Sequence, residues 1–530
     1  MVWDKNASYK AESKKIVWEV APYLRGRGVD IGAGSFKVLP HVISVDNGTD
    51  NSMFGIPFNP DVKVKTAENL DIFASQSMDF VYSSHLLEHL ENPEKALKEW
   101  WRILKVKGNL VLYLPHEDLY PKVGEKGANP DHKHNLNEAM LMKWLQACGS
   151  WDLEVCEQRN EDDEYSFLMV FRKLEKPGKG GRWIHSHENP KPEKTACVVR
   201  YGAYGDLMMA SSVWAGLKKQ GYHVTVFASP PGSDVIMHDP HIDKLVLFDK
   251  DQVPNGDLGP FWEVQKKKYD KWVNLCESVE GTFLALPGRG QHAWPPAVRH
   301  TQMDCNYVQF AHELAGLPHE PDIHFYPTPD ERKWAEDTRH KMGGDLVVMW
   351  SLAGSSVHKT WAWLDHILAS ILLHFPAAQI VLVGGPDCAI LEAGWENEPR
   401  VHKKSGQWKM RETLAFINEC DLIIGPETGV LNAAACLDVS KICFLSHSSH
   451  NNLTRDWKNV ISLSSENTTC PGRGNNEAPA CHQMHYGWAN CKKDEETGMA
   501  QCQADISIAE VWKNVDWCLQ ALQARKQQAA

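Results

Sequence analysis

The chain has 530 residues, of which 43% are hydrophobic and 23% are charged, and this length is typical of about three or four globular domains. Its formal net charge of −12 disfavours broad electrostatic binding to nucleic acid or to an anionic membrane, because both are negatively charged. The first residues lack the apolar core of a signal peptide, and no apolar run is long enough for a transmembrane segment. We therefore expect a cytoplasmic protein, for which nucleic acid is a possible but disfavoured partner.

The first predicted strands are joined by a glycine-rich turn. A strand over 28–31 ends in a turn that contains Gly32 and Gly34, and a second strand over 42–45 is closed by Asp46. Glycines allow the backbone to approach a phosphate or nucleoside closely, and an acidic residue after the second strand can accept hydrogen bonds from ribose hydroxyls. This pattern indicates a nucleoside site at the ends of the two strands.

A third predicted strand, over 78–82, runs into Ser83–Leu90, which reads SSHLLEHL, and a helix over 93–104 precedes another apolar strand. Together these pieces resemble a class I S-adenosylmethionine-dependent methyltransferase with an "EHL" segment, and residues 1–174 would form that domain. The resemblance implies S-adenosylmethionine as cofactor, with Asp30, Gly32 and Gly34 around its methionine part, Asp46 at the ribose, Glu68 and Asn69 near the adenine, and His85 beside the transferred methyl group.

This sequence departs from the methyltransferase pattern at Phe36, where the family often has a third glycine. Cofactor binding remains the expectation, but a domain that only binds or scaffolds is an alternative to an active one.

Two histidines in the later segment Pro130–His134 leave two interpretations open. His132 and His134 would either lie over the pocket as acid/base or substrate contacts, or belong to a solvated loop.

Residues 175–195 are rich in Pro, Gly and Lys and predict an interdomain linker. A new α/β domain follows over 196–328. Its first strand turns through Tyr201–Asp206 into a helix, so Asp206 lies at the carboxyl end of a strand, where doubly wound sheets bind ligands. Asp206 would be either a general base or a helix cap.

A third α/β domain is predicted over 329–506, followed by a C-terminal helix over 507–530. Its segment Asp421–Cys436 reads as a strand, a Gly-Pro-Glu-Thr-Gly turn and an Ala-rich helix. Unpaired N–H groups and the helix dipole at such a turn suit a diphosphate, but an ordinary strand–turn–helix with a capping Thr is the alternative.

Four motifs of this region agree in order and spacing: Arg200–Asp206, Ser351–Trp361, Val383–Pro386 and Asp421–Ala435. Together they resemble the ADP-heptose:lipopolysaccharide heptosyltransferase family of GT-B glycosyltransferases, with 196–328 as the N-terminal (acceptor) domain and 329–506 as the donor domain. The resemblance implies inverting transfer from a nucleotide-sugar donor without a metal, with Asp206 as the base and with a donor site formed by Ser355, Ser356, Lys359, Gly385, Glu427, Thr428 and Gly429.

Two departures limit how far this resemblance extends, whereas the late cysteine-rich loop is also similar to that family. Glu427 replaces the usual aspartate and reaches about one methylene further, and Asn432 stands where a histidine is common, so neither ADP nor heptose is carried over. Four cysteines, Cys470, Cys481, Cys491 and Cys502, fall in the loop 470–502 without close C-x-x-C pairs, which leaves zinc or a reduced or partly paired loop as alternatives.

The fold class expected from the whole sequence is α/β, with three Rossmann-like doubly wound domains, of which two form a GT-B glycosyltransferase. The leading hypothesis is a bifunctional enzyme that glycosylates and methylates a glycan or another hydroxyl acceptor. The alternatives are modification of nucleic-acid bases, as some viruses perform it, and a glycosyltransferase fused to a non-catalytic methyltransferase-like scaffold.

Overall fold

The computed structural model describes residues 12–48, 59–161, 163–175, 180–183, 192–277, 298, 304–354, 359–446, 448–465 and 492–529. Within these ranges the α-helices are α1 Glu12–Lys15, α2 Val17–Val20, α3 Pro93–Ile103, α4 Glu138–Gln146, α5 Tyr204–Lys219, α6 Leu258–Lys266, α7 Tyr307–Leu314, α8 Pro329–Met342, α9 Leu364–His374, α10 Met410–Phe416, α11 Gly429–Ala434, α12 Gln501–Ala504 and α13 Ile508–Ala529. None of these helices is long and apolar enough to cross a membrane.

The strands of the same ranges are β1 Gly28–Ile31, β2 Ile43–Asp46, β3 Val62–Lys63, β4 Met78–Ser84, β5 Leu104–Pro115, β6 Ser150–Arg159, β7 Ser166–Lys173, β8 Gly180–Trp183, β9 Thr195–Val199, β10 His223–Ala228, β11 Lys244–Leu247, β12 Lys271–Asn274, β13 Leu346–Ser351, β14 Ala378–Val383, β15 Val401–Lys403, β16 Leu422–Pro426, β17 Ser440–Leu445 and β18 Val460–Ser464. They form three sheets, of eight, four and six strands. The predicted mixed α/β class with parallel sheets is confirmed.

The chain divides into two compact units. The first unit comprises Met1–Glu193 together with Leu247–Tyr269, and the second comprises Lys194–Val246 together with Asp270–Ala530. Residues 247–269, which lie within the predicted 196–328 domain, are grouped by their contacts with the first unit. There Gln252 Nε2 donates to Ala21 O over 2.8 Å and Gln265 Nε2 donates to Trp18 O over 2.6 Å.

The first unit contains the eight-stranded sheet, whose order is β3-β2-β1-β4-β5-β7-β6-β8. The strands from β3 to β5 pair in parallel, whereas β7 pairs antiparallel with β5 and β6. Helix α3 begins at the cap Asn92, whose side chain accepts from Lys95 N, and it buries Trp100 and Leu97 in the core of this unit. Amphipathic spacing explains this packing, because residues three and four apart lie on the same face of a helix.

The second unit contains the other two sheets. The order is β11-β10-β9-β12 in the four-stranded sheet, where β9 pairs in parallel with β10 and β12. The order is β15-β14-β13-β16-β17-β18 in the six-stranded sheet, which is parallel throughout. Helix α13 buries Val511, Val515 and Leu519 in the core of this larger sheet. Each sheet therefore presents the carboxyl ends of several parallel strands at one edge, where ligands bind in open α/β sheets.

Candidate active sites

The residues predicted to bind the cofactor follow strands that end at one edge of the first sheet. Ile31 pairs with Val45 of β2 and with Ser83 of β4, so the three strands end in register. Gly32, Asp46 and His85 lie at or directly beyond these ends. The sheet thus brings the glycine-rich turn, the ribose-binding candidate and the predicted catalytic histidine to the same edge.

The glycine-rich turn is open on one side and braced on the other. Gly32 and Gly34 have φ values of 77° and 53°, which favour glycine, and a Cβ atom at Gly34 would meet no atom within 4 Å. The Asp46 carboxylate accepts from the backbone N–H groups of Gly34 and Gly48, over 3.3 and 3.1 Å. This arrangement, an open glycine turn beside a carboxylate on the second strand, fits the ribose of S-adenosylmethionine.

Asp30 has a structural contact that the sequence did not reveal. Its side chain is buried, and Oδ2 accepts from Val38 N over 2.8 Å across the turn. Burial raises the pKa of this carboxyl to about 7, although the hydrogen bond from Val38 acts in the opposite direction. Asp30 therefore holds the shape of the turn whether or not it also contacts a cofactor.

Glu68 and Asn69 are held against α3. Glu68 Oε1 accepts from Asn92 N over 2.8 Å at the start of this helix, and Asn69 N donates to Thr66 O. Within the described residues no hydrogen bond joins Glu68 to Asp30 or Asp46. That Glu68 and Asn69 lie near the adenine remains a prediction. Their hydrogen bonds in the described ranges do not connect them with Asp30 or Asp46.

His85 lies in a buried cluster of polar side chains. It adopts a φ of 48°, its Nε2 is 2.9 Å from Ser166 Oγ, and its Nδ1 is 3.8 Å from Glu88 Oε1. Burial, followed by the nearby Lys15, lowers the pKa of His85 to about 3, so the imidazole is neutral near pH 7. A neutral imidazole can accept a hydrogen bond from a hydroxyl, but a pKa this low makes it a weak base.

His132 and His134 make contacts within the fold, so the solvated-loop alternative does not describe them. His132 is buried with its ring 5.1 Å from that of Tyr120, and burial lowers its pKa to about 4. His134 instead donates from Nε2 to Leu90 O over 2.9 Å. Only His132 joins the cluster around Glu88, from which its Nε2 is 3.8 Å away.

In the second unit, Asp206 caps α5. Its Oδ2 accepts from Ala203 N over 2.7 Å, and its Oδ1 lies 3.2 Å from Nη2 of the buried Arg200. The cap that the sequence offered as one alternative is therefore present. The Asp206 side chain is still partly accessible, so it can take a further hydrogen-bonding partner. A role as base is therefore compatible with the cap.

The turn that carries Asp206 touches the turn of the predicted donor site. A Cβ atom at Gly429 would lie 3.0 Å from Tyr204 Cβ and 3.2 Å from Gly205 N. Asn432 lies beside the same contact, with Nδ2 only 2.7 Å from a Cβ built on Gly205. Asn432 is buried, and its Oδ1 has no hydrogen-bond partner within the described part of the chain. The two turns, far apart in sequence, are thus packed closely against each other.

Lys359 supplies a buried positive charge to the turn of the predicted donor site. Only 7% of the residue is exposed, and Nζ donates to Glu427 O over 3.0 Å and lies 4.0 Å from Glu427 Oε2. A buried ammonium group is costly unless anionic or carbonyl oxygens surround it. A diphosphate would complete these partners, which agrees with the predicted donor contact.

The Glu427 carboxylate is held by the loop after β17. Oε1 accepts from the N–H groups of Ser446 and Ser448, over 2.5 and 3.3 Å, and Oε2 accepts from Ser448 Oγ over 3.1 Å. The longer side chain that replaces the family's aspartate reaches this loop. Glu427 therefore positions the loop as well as being the candidate for binding ribose.

The remaining residues of the predicted donor site include Thr428, Gly385, Ser355 and Ser356. Thr428 caps α11 by accepting from Leu431 N, and its hydroxyl is 3.1 Å from Ser351 Oγ. A Cβ atom at Gly385 would meet no atom within 4 Å. Ser355 and Ser356 lie outside the described residues, as do Cys470, Cys481 and Cys491 of the cysteine-rich loop. Since α11 has only six residues, its dipole is small, and the site depends more on Lys359.

Arg411 joins several segments of the second unit, and the sequence did not single it out. It donates to Glu331 Oε1 and Oε2, both over 2.7 Å, and to the carbonyl oxygens of Asp234 and Tyr326. Burial would raise the pKa of Glu331, but the hydrogen bonds from Arg411 and Thr328 outweigh it and lower the pKa to about 2. The partners lie 80 to 177 residues away in the chain, so no local pattern indicates them.

The sequence also did not assign a role to Glu88 and His89, which lie inside the "EHL" segment. Neither carboxylate oxygen of Glu88 has a hydrogen-bond partner among the described residues, and burial raises the pKa of its carboxyl to about 8. The spacing of His85, Glu88 and His89 was the available signal, because positions i, i+3 and i+4 face one side of a helical turn.

Comparison with known proteins finds methyltransferase features in the first unit. Residues 30–112 match a family model described as a methyltransferase domain. The uncharacterized protein MJ1123 of Methanocaldococcus jannaschii is 28% identical over 114 residues, which cover 21% of this chain. The chain spans about half, 54%, of the length of that curated relative.

Solved structures of two kinds of transferase are similar to the chain in fold. The ADP-heptose lipopolysaccharide heptosyltransferase II of E. coli is 16% identical with a TM-score of 0.43, over 63% of this chain and 99% of that one. A glycosyl transferase of family 9 from Veillonella parvula is 18% identical with a TM-score of 0.41, over 51% and 86%. An S-adenosylmethionine-dependent methyltransferase from Mesorhizobium loti is 17% identical with a TM-score of 0.25, over 31% and 99%.

Proposed function

We propose that the chain is a bifunctional transferase. Its second unit transfers a sugar from a nucleotide-sugar, with inversion, to a hydroxyl of a glycan or another acceptor, and its first unit transfers a methyl group from S-adenosylmethionine. The close approach of the Tyr204–Gly205 backbone to Gly429 is the observation that best supports the proposal, because it joins the turn of the candidate base to the turn of the candidate diphosphate site.

In glycosyl transfer, Asp206 accepts the proton of the acceptor hydroxyl while the acceptor oxygen forms a bond to the anomeric carbon. The bond from that carbon to the diphosphate breaks on the opposite face, which inverts the configuration. Lys359 and the N–H groups at the start of α11 compensate the negative charge on the departing diphosphate. This charge compensation by the protein is the basis for proposing that glycosyl transfer needs no metal.

In the first unit, the glycine-rich turn and Asp46 would hold S-adenosylmethionine, which supplies an electrophilic methyl group when bound. The match of residues 30–112 to the methyltransferase-domain model and the open side of the turn at Gly34 support this assignment. His85 would lie beside the transferred methyl group and accept a hydrogen bond from the hydroxyl that is methylated, because burial keeps its imidazole neutral near pH 7.

A ligand screen followed by a turnover assay tests the proposal. Ligands that bind only the folded state raise the midpoint of thermal unfolding, so the full chain is screened against nucleotide-sugars and S-adenosylmethionine. Release of nucleoside diphosphate is then measured with the nucleotide-sugar that stabilises most. Asp206→Asn should lower this release by about 100-fold or more, because an amide cannot accept the proton.

Asp206→Asn is more informative than alanine because its amide oxygen can still accept from Ala203 N, which retains the cap of α5, although it removes the ion pair with Arg200; its midpoint of thermal unfolding is therefore measured as well. Asp206→Ala removes the cap as well and should cost about 1 kcal/mol of stability. If Asp206→Asn releases diphosphate as fast as the parent protein, Asp206 is only a cap and the proposed base is wrong.

A further inference from the structure

Three side chains of the first unit converge on one point without bonding to each other. Glu88, His89 and His132 offer ligand atoms that all lie within 4.8 Å of one another. Nε2 of His89 and Nε2 of His132 are each 3.8 Å from Glu88 Oε1, which is too long for a hydrogen bond. The three groups therefore surround a small space instead of satisfying each other.

Glu88 gives an independent indication that a partner belongs in this space. Its side chain is fully buried, at 0% exposure, and neither of its oxygens has a hydrogen-bond partner in the described ranges. A buried carboxyl keeps its negative charge only when a cation or hydrogen-bond donors compensate it, and otherwise it holds its proton and leaves a polar group without a partner. Such a group persists in a fold when a cation or another ligand compensates it.

The surroundings hold the two histidines with their Nε2 atoms towards Glu88. His89 Nδ1 lies 3.1 Å from Asp131 O, to which it donates, and this leaves the Nε2 lone pair available as a metal ligand. The backbone N–H groups of Lys133 and His134 donate to Glu88 O over 2.8 and 3.3 Å, which holds the loop next to His132 against Glu88. The hydrogen bond from His89 Nδ1 to a carbonyl oxygen is typical of metal-binding histidines.

From this geometry we propose that Glu88, His89 and His132 bind a divalent transition-metal ion of the zinc class. Two imidazole nitrogens and a carboxylate suit zinc, and three protein ligands leave a position for water or a substrate oxygen. Bonds of about 2.1 Å in tetrahedral geometry separate ligand atoms by about 3.4 Å, so the observed 3.8 Å requires only a small contraction. Magnesium and calcium are disfavoured because they prefer oxygen ligands.

This site differs from the expectation from sequence, which assigned no metal to the chain. His85 borders the cluster, with Nδ1 3.8 Å from Glu88 Oε1, and it lies outside the three mutually close ligands. The rings of Tyr120 and Tyr165, 4.8 Å apart, lie beside His132 and His85 and limit access of water. The site is therefore next to the proposed methyl-transfer residue, but its metal affinity does not depend on that activity.

The test measures zinc binding by the full chain. Bound metal is removed from the protein with a chelator, and the metal-free protein is titrated with Zn²⁺. Bound zinc is then quantified by elemental mass spectrometry. Glu88→Gln and His132→Gln should weaken binding at this site by about 100-fold or more. His134→Gln is the matched control, since its ring bonds to Leu90 O in the same loop, and it should bind like the parent protein.

Two further measurements distinguish this site from the late cysteines and from a failure to fold. Co²⁺ substitution should give the visible bands of nitrogen and oxygen ligands, and Glu88→Gln should remove them. Far-ultraviolet circular dichroism of the metal-free variants checks that they fold, and His89→Gln replaces either variant that does not. Equal affinity in the parent and the ligand variants, or Co²⁺ bands of thiolate ligands alone, would overturn the proposal.

Discussion

Replacing Asp30 by asparagine should stabilise the first unit, and by more at higher pH. Asp30 is 1% exposed, and Oδ2 accepts from Val38 N. Asparagine has nearly the same shape, and its amide oxygen can accept the same hydrogen bond. The substitution therefore removes a buried charge and leaves the packing of the turn largely unchanged.

The sign and size follow from the pKa of the carboxyl, which burial raises from 3.8 to about 7. Below the lower value both states hold the proton and folding carries no penalty. Between the two values the unfolded chain releases the proton while the folded chain keeps it, so stability falls as the pH rises, and the penalty is complete above about pH 7. Three units at about 1.4 kcal/mol each give an upper limit of about 4 kcal/mol.

Urea unfolding with pulse proteolysis measures this effect unit by unit, because fragment masses show which part of the chain is cut. The stability gained by Asp30→Asn should grow by about 2 kcal/mol between about pH 5 and about pH 8. Asp71→Asn, at an exposed carboxylate, is the control and should show little change. A gain for Asp30→Asn that does not vary with pH would refute the reasoning.

Two other substitutions test local features of the fold. Gly32→Ala should lower the free energy of unfolding in urea by about 2–4 kcal/mol, because the new Cβ would lie 2.7 Å from Leu86 Cδ2 at a positive φ. Gly34→Ala, which has a positive φ but open space around it, should lower it by about 1–2 kcal/mol. Equal losses in the two variants would contradict the predicted clash. Arg411→Met should destabilise the second unit by about 2 kcal/mol at neutral pH. This difference should shrink as the pH falls from 4.5 through about 2, because Glu331 takes up a proton, and should not vanish, because the hydrogen bonds of Arg411 to Asp234 O and Tyr326 O do not titrate; an unchanged difference in acid, measured by the same method, would show that the ion pair is not the cause.

Much of the fold could be predicted because its signals are local. Alternating strands and helices separated by glycine turns indicated parallel α/β sheets, and the predicted strand over 28–31 and helix over 93–104 agree with β1 and α3 within one residue. Boundaries were less exact elsewhere, since β5 begins at Leu104, five residues before the predicted strand. There β5 contains an irregularity, at which Lys107 has a φ of 65° and the register of its pairing with β4 shifts between Met78 and Phe80.

Assignment of the segment 247–269 could not be predicted in the same way. An amphipathic helix shows which of its faces is apolar, but not which core that face will join. Phe261 of α6 contacts Trp18 with ring centroids 6.4 Å apart, a pairing separated by more than 200 residues. Such a contact depends on the shapes of both surfaces and leaves no local pattern in the sequence.

The candidate sites were predictable as motifs but not as sets of contacts. The sequence placed Glu427 near the donor, but the serines that hold its carboxylate follow 19 and 21 residues later. Likewise the sequence leaves the role of His132 open, because Glu88, which its ring approaches, lies 44 residues earlier in the chain. Motifs give the residue types that a chemistry needs, and the tertiary fold decides which atoms meet.

The central claim is that one chain carries two separate sites, for S-adenosylmethionine and for a nucleoside diphosphate. Isothermal titration of the full chain with each ligand tests it, using S-adenosylmethionine and the diphosphates ADP, UDP and GDP. Asp46→Ala should weaken only S-adenosylmethionine, and Lys359→Met should weaken only the diphosphate, each by about tenfold or more. Lys441→Met, at a buried lysine that donates to Leu437 O and Val439 O, should leave both affinities unchanged. Failure of the parent protein to bind either ligand, or a loss of both in one variant, would contradict the account.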